Sequence, residues 1–272
     1  MRIYLFGDLH GNVDALDVCL KHLEAEKADE VYCLGDLAGW LPFGDKTFSR
    51  LRSTGIPTVA GNHDLLIAGA ITDFPGQVDR IQATAYNAGM LFAQQGAIEY
   101  ILGLPLSIDK EDFIIVHHSP FDLPALSALS AKRAAPTIEC FGYLDEAALR
   151  KAVPLWRNYP KRLIFSGHDH IPAIYELPEG GEVKVHSPER KKDLRLRLNK
   201  NSRYWVKAGS VGGPYRDGTP IANCVLYDTE EQAITMMRIP YDTKPLSEAL
   251  SSHLFYRNLP WIRRYIDLLG EG

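Results

Sequence analysis

Along the first half of the chain, apolar residues switch between two periods. Residues 3–6 form a short apolar run broken by Gly7-Asp8, after which Val13, Leu16, Cys19, Leu20 and Leu23 recur at helical spacing. This predicts strand, loop, helix. Residues 31–34 and 56–60 repeat the strand signal with a short helix at 48–53 between them, and 81–94 has the spacing of a longer helix. Further strands are predicted at 113–116 and 163–165, and Asp145 is placed to cap a helix running through Val153. After residue 170 the pattern becomes β-rich, with strands predicted at 173–176, 182–185, 204–207, 223–227 and 233–239. The stretch 247–269 reads as a helix broken at Pro260.

No linker rich in Pro, Gly or Ser divides these segments, which predicts one domain over residues 1–272, an α/β (α+β) arrangement of layered or sandwich type. A helical tail occupies about 247–270. Arg190, Lys191, Lys192, Arg195, Arg197, Lys200 and Arg203 crowd into a segment where Leu194, Leu196 and Leu198 alternate. That predicts an exposed, hairpin-like insertion around 186–203 whose charges blunt its edge, with an anion-gathering arm as the competing reading.

Composition narrows the function classes. Hydrophobic residues at 46% and charged residues at 24% exclude a disordered or fibrous chain. A net charge of −4 gives no global field for nucleic acid or an anionic membrane, so nucleic acid is possible but not favoured and any anion site is local. No apolar run approaches the roughly 18 residues of a membrane span, and the first is too short for a signal sequence. Cys19, Cys33, Cys140 and Cys224 form no C-x-x-C pair, which predicts buried free thiols and a cytoplasmic location. Oligomeric state is left open.

The chemistry lies just past the strand ends. These carry Asp8-Leu9-His10, Gly35-Asp36, Gly61-Asn62-His63-Asp64, His117-His118 and Gly167-His168-Asp169-His170. Side chains just beyond the carboxyl ends of neighbouring strands converge on one crevice, so these residues are expected to meet. Imidazole, carboxylate and an amide oxygen without thiolate suit Mn, Fe, Zn or Ni. Seven such ligands are too many for one ion with an open position and suit two ions sharing a carboxylate. Gly7, Gly11, Gly35, Gly61 and Gly167 would permit the sharp turns and close approach.

Taken together, these motifs resemble the calcineurin-like metallophosphoesterase superfamily, and most closely its small bacterial and archaeal branch, through Ala208-Gly209-Ser210-Val211-Gly212-Gly213-Pro214 and Arg216-Asp217-Gly218. The resemblance implies a four-layer α-β-β-α fold, a β-sandwich flanked by helices. It implies Asp8, His10 and His170 on one metal, Asn62, His117 and His168 on the other, and Asp36 between them. His63 stays unligated and faces the scissile phosphate, and Asp64 supports its turn. The implied reaction is hydrolysis of a phosphate mono- or diester by a metal-bridging hydroxide attacking in line. A small phosphoester is the expected partner. A non-catalytic scaffold and a nuclease are the alternatives.

Substrate contacts are expected from Arg216, Ser210 and His118. Ser210 lacks a G-x-S-x-G elbow and is not expected to be a nucleophile. His118 stands where the superfamily usually has glycine. Leu37-Ala38-Gly39-Trp40 lacks the Asp and Arg of the protein phosphatases, which argues against a phosphoprotein substrate. Trp40 and Phe43 are expected either to wall the pocket or to pack in the interior.

Overall fold

The computed structural model describes residues 1–122 and 136–270. Two sheets lie face to face between helices. One has five strands in the order β2-β1-β10-β11-β8, the other six in the order β3-β4-β5-β9-β6-β7. In the first sheet, β1 (Arg2–Phe6) runs parallel to β2 (Glu30–Cys33), while β10 (Ala222–Asp228), β11 (Ala233–Ile239) and β8 (Leu194–Arg197) pair antiparallel. In the second, β4 (Phe113–Val116), β5 (Leu163–Ser166) and β9 (Ser202–Lys207) are parallel neighbours. Antiparallel β3 (Ser107–Asp109), β6 (Ala173–Pro178) and β7 (Lys184–His186) complete that sheet.

The two-residue period of a strand explains the layering. Ile3 and Leu5 of β1 point between the sheets, where they join Phe113, Ile115, Leu163, Phe165, Val225 and Tyr227. Tyr4 and Phe6 point the other way, onto Leu16, Cys19 and Leu20 of α1 (Val13–Glu26) and Phe48 of α2 (Gly44–Arg52). On the far face, Ile114, Val116, Ile164 and Trp205 pack on Ala152 and Trp156 of α6 (Glu146–Arg157). This is the expected α-β-β-α order. Asp145 caps α6 by accepting the Ala148 N–H at 2.8 Å.

Three local expectations are corrected. Residues 56–60 make no strand, only a single parallel bridge between Cys33 and Thr58. The segment accepts the Cys33 N–H at the Pro57 carbonyl, and the Ala60 N–H then turns away to Pro105. Proline has no N–H with which to extend the ladder. The basic segment is not a hairpin, because β8 pairs with β11 at the edge of the first sheet while β9 lies inside the second. Leu194 and Leu196 turn onto the inter-sheet core while Arg195 and Arg197 remain exposed. Thirdly, two short helices carried no periodic signal: α3 (Asn62–Ile67) and α5 (Ala97–Leu102), which flank the expected α4 (Val78–Phe92). The tail forms α7 (Lys244–Ser252) and α8 (Ile262–Leu269), broken near Pro260 as expected. Cys19 and Cys224, 205 positions apart, bring their sulfurs to 3.1 Å as free thiols. Among the described residues no helix is long and apolar enough to cross a membrane.

Candidate metal centre

Strand direction gathers the site. The parallel pair β1 and β2 ends just before Asp8 and Asp36, and the parallel trio β4, β5 and β9 ends at His117, at His168 and at the Ser210 loop. Both sets of ends open on the same side of the sandwich, so all seven expected ligands meet there and each is buried. Their backbone is unusual. Asp8, His10, Asp36, His168 and His170 adopt φ of +54°, +49°, +56°, +71° and +59°. Among the described non-glycine residues only Lys27 and Gln232 share that region. Left-handed φ costs a side-chain-bearing residue roughly 1–3 kcal/mol, and such strain concentrates at functional sites.

Backbone contacts aim the side chains. Both oxygens of Asp8 accept the His168 N–H, at 3.1 and 3.0 Å. Asp36 Oδ1 accepts the His63 N–H at 2.9 Å, which leaves Oδ2 directed at His10 Nε2, 3.5 Å away, and His117 Nε2, 3.2 Å away. His117 donates its Nδ1–H to the Leu34 carbonyl at 2.6 Å and His170 donates its own to the Pro214 carbonyl at 2.8 Å. A carbonyl can only accept, so in the neutral form of either ring Nε2 is the nitrogen that presents a lone pair to the centre. His170 Nε2 faces His10 Nε2 at 2.9 Å and Asp8 Oδ1 at 3.3 Å. Asn62 Oδ1 lies 3.2 Å from His117 Nε2 and 2.9 Å from His168 Nδ1, so His168 offers its other ring nitrogen.

Two overlapping groups result. Asp8, His10, Asp36 and His170 form one, and Asp36, His117 and His168 the other, with Asp36 common to both. A third group, His118, His168 and Asp169, already contains a cation, since Lys207 Nζ lies 2.5 Å from Asp169 Oδ2. Burial works against charge on Asp36, His10, His117 and His168. For His117, burial is outweighed by the charge and hydrogen bond of Asp36 together with Asp8, which hold it up at about 9. Asp36 responds in kind: despite burial, His117 and His63 keep it well below the usual carboxylate range. Burial drives His10 and His168 down, and the charges of neighbouring histidines, with Lys207 for His168, add to it.

His63 sits at the start of α3 beside, and not within, the two groups. Its ring is 4.8 Å from that of His10 and 5.4 Å from Trp40, and its Nδ1 has no partner among the described residues. Burial lowers it to about 4. Gly39, at φ +134°, backs the ring so closely that any β-carbon would overlap it, and one at Gly61 would overlap the Asp36 carboxylate. Asp64 does support the turn, because its carboxylate accepts the N–H groups of Asp36, Leu37 and Gly61 at 2.8, 2.9 and 2.9 Å.

The three expected substrate contacts separate. Arg216 reaches the mouth of the site, 4.3 Å from the ring centre of Tyr143, which stacks on His168 at 5.1 Å. His118 is buried, its ring 5.1 Å from His168, and burial followed by the charge of Lys207 lowers it to about 3. It is a neutral neighbour of the centre. Ser210 is corrected: its hydroxyl donates to the Asp8 carbonyl at 2.8 Å and accepts the Gly213 N–H at 2.7 Å, fully buried behind the centre. Phe43 packs with the tail helices, whereas Trp40 lines a cleft beside His63. Arg80 and Trp261 line the same cleft, and no motif in the sequence marked them. A roomier cavity of about 550 Å³ lies by Arg162 and Arg203, at the opposite ends of β5 and β9, and touches none of the candidate ligands.

Known proteins agree with this architecture. The structure of a metallophosphoesterase from Sphaerobacter thermophilus is 26% identical and matches with a TM-score of 0.72 over 100% of this chain and 99% of its own. An uncharacterized protein of Methanocaldococcus jannaschii is 25% identical over 252 residues, 91% of each chain. The structure of a hypothetical protein from Pyrococcus horikoshii shares the fold at 19% identity, with a TM-score of 0.61 over 98% of this chain and 97% of its own. The family model described as calcineurin-like phosphoesterase matches residues 1–172, a segment holding every candidate ligand, and the chain belongs to that family.

Proposed function

We propose that this protein is a metal-dependent phosphoric ester hydrolase acting on a small phosphate mono- or diester. One divalent transition ion, Mn, Fe, Zn or Ni, would be held by Asp8, His10 and His170 and a second by Asn62, His117 and His168, with Asp36 available to both. The observation that carries this reading is the single oxygen Asp36 Oδ2 facing His10 on one side and His117 on the other. The donor chemistry fits as well. With Nδ1–H of His170 on Pro214, its Nε2 and that of His10 face each other 2.9 Å apart beside the Asp8 carboxylate, an acceptor-rich arrangement that a cation completes.

Two such ions, when bound, supply an activated water and offset the charge on the phosphoryl oxygens. The chain's own residues do the rest. Asp8 and Asp36 present fixed carboxylate oxygens, and the Leu34 and Pro214 carbonyls keep His117 and His170 in the ligating tautomer. His63, low at about 4, rests as a neutral N–H donor, and a phosphate dianion beside it supplies the charge that favours its protonated form for the leaving oxygen. No side-chain nucleophile is needed.

The test is metal content together with turnover of bis-p-nitrophenyl and p-nitrophenyl phosphate before and after a strong chelator. Activity lost on stripping and restored by one of these metals supports the proposal. Full activity of the stripped protein on a broad phosphoester panel overturns it.

A further inference from the structure

Beside the candidate centre lies a cleft of about 390 Å³ whose lining includes Trp40, Val78, Arg80, Pro214, Arg216 and Trp261. Two of its lining residues touch the centre. Trp40 stands 5.4 Å from His63, and the Pro214 carbonyl is the one that holds His170. Trp261, from the tail, meets Trp40 edge to face at 5.3 Å and 83°, so the two indoles make an L-shaped wall. The Trp261 Nε1–H is buried without a partner among the described residues.

Cationic groups stand on the remaining sides. Arg80 is nearly buried, its side chain 11% exposed, and Asp73 takes its Nε–H at 2.6 Å and one Nη2–H. Two of five donors are thereby fixed, which orients the guanidinium beside the centre. Its charge is felt at His63. Arg216 lies over Tyr143 and donates to its hydroxyl at 2.6 Å. Asp79 also lines the cleft and is its one carboxylate.

Resting on the phosphoesterase reading above, we infer that this cleft selects phosphoesters whose alcohol carries a planar aromatic group and a second anion, with the ring on the Trp40–Trp261 wall and the anion at Arg80 and Arg216. An indole wall rewards a flat π-face and gives an aliphatic alcohol little. An arginine already held by a carboxylate or a tyrosine loses little freedom on binding a phosphate.

Three probes separate the parts: adenosine 3′,5′-bisphosphate, AMP and ribose 5-phosphate. The metal-loaded enzyme is expected to rank them in that order by kcat/KM. Trp261→Ala shrinks the ratio of AMP to ribose 5-phosphate about tenfold, and Arg216→Gln shrinks the ratio of the bisphosphate to AMP about tenfold. Because Trp261 also packs on the tail, Arg216→Gln serves as the variant on an exposed side chain. A second readout needs no turnover: AMP quenches tryptophan fluorescence of the metal-free protein, ribose 5-phosphate does not, and Trp261→Ala weakens the quenching. If wild type treats AMP and ribose 5-phosphate alike, or both ratios survive the substitutions, the inference is overturned while the phosphoesterase reading stands. If no phosphoester is turned over with any metal, that reading falls, and the fluorescence titration alone decides for or against the cleft.

Discussion

The ligand cluster and the cleft beside it are built by opposite means. In the cluster each side chain is buried, five backbones are held at left-handed φ, and tautomers are set by carbonyls of the scaffold. The cleft wall is partly exposed, and Arg216 and Tyr143 are steadied by each other more than by the core. Provenance differs as well. All seven candidate ligands and His63 lie within residues 1–172, whereas Pro214, Arg216 and Trp261 come from beyond it. The cluster's donor geometry is rigidly anchored, and the side chains of the cleft proposed to choose among alcohols come from loops and a tail, with the Pro214 carbonyl the point where the two regions are tied together.

The largest effect should come from the carboxylate that both halves of the cluster share. Asp36→Asn removes the charge facing His10 and His117, and metal content and turnover should fall together, by more than the roughly 10–100-fold typical of an outer-shell partner. Retained metal with retained rate would break the shared-ligand assignment. His63→Ala should instead keep the metal and lose about 100-fold or more in rate, since the ring lies outside both groups. If the two variants behave alike in metal analysis and kinetics, the cluster has no separate acid–base component.

A smaller effect follows from the cluster's titration in chelated protein. His117, held at about 9, is charged in the folded state over a range where the unfolded ring, near 6.5, is neutral. Its stabilising contribution is complete below about pH 6.5 and is lost as pH rises through 9. His63 and His118, low at about 4 and 3, act in reverse: below about pH 6.5 the unfolded rings take up protons that the folded ones refuse, and stability falls as acid is added. Each is worth up to about 1.4 kcal/mol per pH unit within its window. The metal-free protein should therefore melt highest near pH 6.5. Bound metal requires neutral His117, so loading at pH 7 should release a proton and flatten the alkaline decline. Equal alkaline slopes for chelated wild type and His117→Gln would count against the His117–Asp36 pairing.

The same contrast explains what the sequence disclosed. The convergence of Asp8, His10, Asp36, His117, His168 and His170 was legible because each lies just past a strand, and parallel strands carry their ends to one place whatever the separation along the chain, whereas Asn62 follows only the single bridge at Thr58. The inter-sheet core was legible too, since Ile3 and Leu5 alternate with Tyr4 and Phe6 as a strand buried on both faces requires. Residues 56–60 misled because an apolar, β-branched run reads as a strand, although Pro57 stops the ladder after one bridge. The basic segment misled because alternation reports a strand and says nothing of its partner, which proved to be β11. Arg80 and Trp261 left no local signal at all. An arginine early in α4 and a tryptophan just before α8 acquire meaning only through the docking of the tail beside Trp40.

Ser210 gives the finest test of where cluster ends and scaffold begins. Its hydroxyl joins the Asp8 carbonyl to the Gly213 N–H and so ties the glycine-rich loop to the strand end that presents the first candidate ligand. Ser210→Ala strips a buried acceptor and a buried donor of their partner, a loss of about 1–3 kcal/mol that should lower the melting temperature by several degrees. Turnover should fall less than about tenfold, because metal content and the His63 side of the site are untouched. The opposite result, a loss of about 1,000-fold with full metal content and an unshifted melting curve, would make Ser210 a nucleophile. That outcome would move the covalent chemistry from the ions to the loop. The geometry argues against it: the hydroxyl is fully buried, its acceptors are the carbonyls of Asp8 and Gly213, and no basic side chain is among its hydrogen-bond partners in the described residues.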